Sequence, residues 1–85
     1  MTEHDLLARV VRIIRPFAKD QDALAQAGPA TRILEDLKVN SARLVDIIIA
    51  SENEFDIDVG DDDAGKVQTI GDAIRIIEAK RSAKR

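Results

Sequence analysis

An 85-residue chain has room for one small domain, and at that length only about 60 % of the unfolded surface is buried, so the core is thin. Hydrophobic residues make up 45 % and are mostly aliphatic; Phe17 and Phe55 are the only aromatics, which leaves no platform for stacking nucleic-acid bases. There is no cysteine, hence no disulfide, thiolate zinc site or cysteine nucleophile. The net charge of −3 is unevenly spread: residues 44–65 hold eight acids and no Lys or Arg, for −8, against +1 for residues 1–43 and +4 for residues 66–85.

The first predicted helix runs over residues 3–15. Leu6, Leu7, Val10, Val11, Ile13, Ile14 and Phe17 fall on one face at helical spacing, with Arg9, Arg12 and Arg15 opposite as a solvated face. Thr2 is the expected N-cap, with Glu3 and Asp5 suited to the first turn, and Pro16 ends or bends the helix. Periodicity then breaks up from Asp20 to Asn40. Ala23-Leu24-Ala25 is consistent with a short turn of helix before the Gly28-Pro29 break. Ile33, Leu34 and Leu37 are expected to pin the rest of this long connection to the core; a connection of this length usually has a functional reason.

A second long helix starts at Asn40 or Ser41, both good N-cap types. Its expected core face is Leu44, Ile47, Ile48 and Phe55, with Val45 at the edge, while Ala42, Asp46, Ile49 and Asn53 form a stripe roughly opposite. An acidic connector, residues 56–63, follows. It is not a calcium loop, because Asp61 stands where the loop glycine belongs and Val67 where the bidentate glutamate belongs. Residues 61–65 suit one short helical turn, with Gly60 as a turn residue before it. Thr69 and Asp72 then give a capping-box-like start to a last helix, whose buried face is Ile70, Ala73, Ile74 and Ile77. Lys80, Arg81, Lys84 and Arg85 suit its C-terminal end, with residues 80–85 expected to fray. The predicted fold class is all-α: a single domain over residues 1–85, built as a small bundle of three long helices and one short one after a long first loop.

No catalytic centre emerges. Ser41 has no partner base in sequence terms, since His4 is the only histidine and sits near the N-terminus, and no Gly-x-Ser-x-Gly turn exists. The carboxylates lack histidine partners for a metal site. No apolar run approaches the roughly 20 residues of a membrane span, and the N-terminus lacks signal-peptide features, so a cytoplasmic location is expected. The acidic middle argues against nucleic acid and for basic protein partners, although acidic surfaces also serve solubility alone.

One stretch carries a more specific signal. Glu35-Asp36-Leu37, Asn40-Ser41, Leu44-Val45-Asp46 and the run Glu52-Asn53-Glu54-Phe55-Asp56-Ile57-Asp58-Val59 resemble the acyl carrier protein family. The resemblance runs without a gap over residues 34–77 and includes Asp62-Asp63-Ala64-Gly65-Lys66-Val67 and Thr69-Ile70; the first helix matches in pattern only. It implies a non-enzymatic, monomeric carrier in which a separate phosphopantetheinyl transferase, using coenzyme A, esterifies Ser41 to 4′-phosphopantetheine. The thiol of that arm would hold acyl or aminoacyl groups as thioesters. It further implies docking of acyl-loading, condensing or acyl-transfer enzymes with basic patches on Asn40, Ala42, Arg43, Asp46, Ile49, Glu52 and Asn53.

The immediate surroundings of the serine depart from the family pattern. Asn40-Ser41-Ala42 stands where Asp-Ser-Leu is usual, Lys38 where glycine is common, Arg43 where an acidic or polar residue is common, and Gly60 where proline is common. These departures point to a dedicated lipid or secondary-metabolite pathway. The alternative is a helical interaction module of the same fold that is never loaded.

Overall fold

The computed structural model describes residues 3–83, and helices account for all of its named elements: α1 (Glu3–Ile14), α2 (Gln21–Ala25), α3 (Ser41–Phe55), α4 (Asp61–Ala64) and α5 (Ile70–Ala83). Three helices are long, as expected. Two are short, because each of the two turns anticipated in the connectors closes into a helix of its own. The expected N-cap Thr2, and Lys84 and Arg85, lie outside the described residues.

The apolar stripe of α1 dictates the packing. Leu6, Val10 and Ile14 are buried, Leu7, Val11, Ile13 and Phe17 lie half-buried beside them, and α1 packs against both α3 and α5. Pro16 follows the helix end, and the carbonyls left open there are used: the Gln21 amide donates to Arg15 O and Ala18 O at 3.0 and 2.7 Å. Asp20 then caps α2, its Oδ1 accepting from Ala23 N at 2.9 Å, and Leu24 fills the core. Arg9 departs from the expected solvated face. Its guanidinium donates to Glu54, with Nε–Oε2 at 3.0 Å, and lies 4.6 Å from the centre of the Phe55 ring, which Arg81 approaches at 5.9 Å. The last turn of α3 crosses α1 at this point and takes Arg9 out of the solvated set.

The connector between α2 and α3 is tied to the start of α5. Ile33 N donates to Gln68 O and Ile70 N to Thr31 O, both at 3.0 Å, with an isolated antiparallel bridge between Arg32 and Thr69. Gly71 N donates to Pro29 O at 2.8 Å, and a Cβ at position 71 would meet that same oxygen at 2.9 Å, so the approach requires glycine. Ile33 and Leu37 are buried here, but Leu34 is exposed and does not pin the loop; Val39 takes that role. In α3, Ile47 and Phe55 are buried and Leu44 and Ile48 half-buried, whereas Val45 is 56 % exposed and belongs to the surface, not the core edge. Ser51 is buried with its hydroxyl donating to Ile47 O at 2.9 Å, a satisfied core polar group.

Thr69 and Asp72 form the expected reciprocal box: Asp72 N donates to Thr69 Oγ1 and Thr69 N to Asp72 Oδ2, at 3.1 and 3.0 Å. Ile70, Ile74 and Ile77 of α5 are buried. The helix continues through Ala83, past the point where fraying was expected. Lys80 bonds Asp63 of α4 at 2.9 Å and holds that carboxyl below the usual aspartate range, while Arg81 lies over Phe55.

Candidate functional site

The loop that delivers Ser41 is built on its own hydrogen bonds. Asp36 and Leu37 N–H groups both donate to Arg32 O, and Arg32 N donates back to the Asp36 carboxylate at 2.8 Å. Lys19 N and Asp20 N donate to Leu37 O. Leu37 and Val39 then point into the core on either side of Lys38, which is exposed and has φ of +58°. That left-handed backbone costs a side-chain-bearing residue about 1 kcal/mol. It explains structurally why glycine suits the position.

Asn40 is the N-cap of α3. Its backbone is extended (φ −66°, ψ 137°), its Oδ1 accepts from Ala42 N at 2.8 Å, and its carbonyl accepts from Arg43 N and Leu44 N. Ser41 is therefore the first helical residue and not the cap. It is exposed, and neither its hydroxyl nor its N–H has a hydrogen-bond partner among the described residues. The first turn of α3 contains no acid, so the positive end of the helix is not neutralised by a side chain there.

The other predicted site residues divide into two groups. Ala42, Ile49 and Asn53 are exposed on the outward face, and Val45, which sequence reading assigned to the core edge, joins them. The helical wheel puts Val45 between the two faces, and only the packing of neighbouring helices decides which it joins. The charged members are engaged within the chain. Arg43 Nη1 contacts Asp46 Oδ2 at 3.0 Å, and Glu52 Oε2 accepts from Val59 N at 2.8 Å to tie down the chain after α3. Among the described residues no group of three or more His, Asp or Glu is placed to hold a metal ion, and no helix is long and apolar enough to cross a membrane.

Fold and site together define a class: a small helical bundle that offers an uncommitted serine at the start of its central helix. No protein-family model matches the chain. A solved structure described in a study of the high thermal stability of the acyl carrier protein from Enterococcus faecalis is similar to it, with a TM-score of 0.75 and 28 % sequence identity, covering 94 % of this chain and 99 % of that one. The chain is thus similar to an acyl carrier protein in fold over nearly its whole length.

Proposed function

We propose that this protein carries acyl or aminoacyl intermediates on a 4′-phosphopantetheine arm esterified to Ser41, in a dedicated lipid or secondary-metabolite pathway. The observation that carries the reading is the division of labour at the start of α3: Asn40 does the capping, which leaves the Ser41 hydroxyl exposed and unbonded. A serine needed as a cap would have its oxygen committed to the backbone.

The surroundings fit a phosphodiester. The unused Ser41 N–H and the helix dipole favour an anion, no acid stands in the first turn, and the exposed Lys38 and Arg43 add positive charge on both sides in sequence. When bound, the group supplies a flexible arm ending in a thiol that holds the cargo as a thioester. The chain's own residues fix the anchor point, keep it in solvent and orient it away from the core. It is a substrate and partner of enzymes, and a cytoplasmic monomer is the setting that suits it.

Incubation with a broad-specificity phosphopantetheinyl transferase and coenzyme A is expected to add one phosphopantetheine mass to the intact protein, and Ser41→Ala to abolish the addition. An unmodified mass for the native sequence would overturn the reading and favour an interaction module that is never loaded.

A further inference from the structure

Arg9, Arg12 and Arg15 follow one another at the helical spacing of α1, and the structure treats them differently. Arg9 is tied to Glu54 and Phe55, whereas Arg12 and Arg15 are exposed, and neither forms an ion pair or a side-chain hydrogen bond with another described residue. Arg32, Arg43, Arg75 and Lys80, by contrast, each pair with an acid. Both free guanidiniums border the same feature.

Between α1 and α2 lie two adjoining open depressions, of about 320 and 250 Å³, that share Val11, Arg15, Leu24 and Ala25 in their walls. Arg12 lines the larger one. The floor is apolar: Leu24 is buried, Leu7, Val11 and Ala27 are half-buried, and the flanking Ala8 and Ala25 are exposed but too small to fill it. No described acid lines either depression; Asp20 and Asp22 line a different one, together with Lys19 and Lys38. The result is a groove with an aliphatic floor and a positive edge. None of its wall residues belongs to α3, so it is a surface distinct from the one around Ser41.

We infer that this groove docks an acidic amphipathic helix of a protein partner, whose apolar stripe enters between α1 and α2 and whose flanking carboxylates meet Arg12 and Arg15. The chemistry of the occupant follows from both parts of the groove. Recessed aliphatic walls accept a ridge of side chains, as when an amphipathic helix seats in a groove, and a guanidinium pairs with a carboxylate through two parallel hydrogen bonds. A lipid surface fits less well, because insertion takes apolar side chains that project, and Leu7, Val11 and Leu24 are recessed. From Leu7 to Arg15 the rise is about 12 Å, so the contact engages roughly two turns of the partner. A contact this small, with its charges on the rim, is transient and weakened by salt. The inference goes beyond the function proposed above and does not rest on the loading of Ser41.

The test titrates the full chain into a fluorescent helical peptide of about 18 residues, with one leucine stripe flanked by glutamates, and reads its anisotropy. Saturable binding is expected, weaker by about tenfold or more at about 300 mM NaCl than at about 50 mM, over which the screening length falls about 2.5-fold. Arg12→Glu with Arg15→Glu is expected to weaken binding about tenfold or more by opposing like charges. Ala8→Gln with Ala25→Gln leaves the charge unchanged but fills the floor, and is expected to weaken binding by about as much. All four positions are exposed, so the thermal melts of both variants should match that of the native chain. Polyglutamate of equal charge, lacking the leucine stripe, should bind about tenfold more weakly or worse. A peptide that does not bind, or that binds both variants like the native chain, overturns the inference. Equal binding of polyglutamate overturns it too, by reducing the groove to a patch of charge. Tighter binding of phosphatidylglycerol vesicles through the same two arginines reassigns the face to a lipid surface, and self-association of the native chain through them reassigns it to a second copy; either result overturns the protein-helix occupant.

Discussion

The two ends of α3 are built to opposite rules. At the C-terminal end the backbone turn and both glutamates are tied into the chain. Asp56 turns the chain at φ +54°, its N–H and that of Ile57 both donate to Glu52 O, the Glu52 carboxylate takes Val59 N, and Arg9 bonds Glu54 while lying over Phe55. Phe55 and Ile57 are buried. At the N-terminal end one side-chain oxygen, that of Asn40, does the capping, and Ser41 is left exposed with its hydroxyl unbonded. The difference teaches where to look for function in a small acidic domain. The conspicuous charge marks the structural end, and the inconspicuous serine marks the end to which the proposed function assigns the work.

Substitutions at the two ends should separate these roles. The largest effect is expected for Phe55→Ala, which removes a buried ring shared by α1, α3 and α5 and should lower stability by about 3 kcal/mol or more in chemical denaturation. Ser41→Ala should leave the denaturation midpoint nearly unchanged, because the hydroxyl bonds nothing; a shift as large as that of a lost cap would show that the two ends are not so different. Asn40→Ala is the matching control and should cost about 1 kcal/mol, with Asn40→Asp retaining the cap.

Lys38→Gly acts in the opposite direction. It relieves the left-handed backbone and should stabilise the protein by up to about 1 kcal/mol, read as a higher denaturation midpoint. A loss of stability would mean that the lysine side chain earns its place through packing. The smallest effect separates the starts of α3 and α5. The Asp72 carboxyl is held below the usual aspartate range, first by the Thr69 N–H and then by further hydrogen bonds from Gln68 and Thr69 and by Arg75, despite opposing desolvation. Its contribution is therefore present above the ordinary aspartate pKa and fades as the pH falls through the depressed folded value. Amide chemical shifts of Gln68 and Thr69 should follow that titration and lose it in Asp72→Asn, whereas Ala42 N–H, capped by the neutral Asn40, should show no such acid titration.

Much of this architecture was legible in the sequence because helix faces repeat. Leu6, Val10 and Ile14, and likewise Ile70, Ile74 and Ile77, are read straight from their spacing and are all buried. Residues outside a period were harder. Ile33 and Leu34 are adjacent aliphatics in a loop, and only the hydrogen bond from Ile33 N to Gln68 O decides that Ile33 turns inward while Leu34 faces out. Val39 and Ile57 are single apolar residues among polar ones, so no pattern marks them as core. Asn40 and Ser41 are equally good caps by type; the structure separates them because the extended Asn40 backbone brings its amide oxygen to Ala42 N. Arg9 sits on the polar side of its own helix, and its role is set by a helix 45 residues away. Ser41 was found through the resemblance of its flanking stretches, and its freedom from capping became visible only in three dimensions.

The contact between Gly71 and Pro29 bears on how such a carrier can be re-engineered. The loop of residues 28–40 and the first turn of α5 close on each other through Thr31, Ile33, Gln68 and Gly71, with no room for a methyl group at position 71. They form one interlocking cassette split across the chain. A chimera that takes only the loop of another carrier, to change what surrounds the serine, keeps half of the lock. Grafting residues 28–40 together with residues 68–71 preserves it, and the serine should then arrive at the helix start in register.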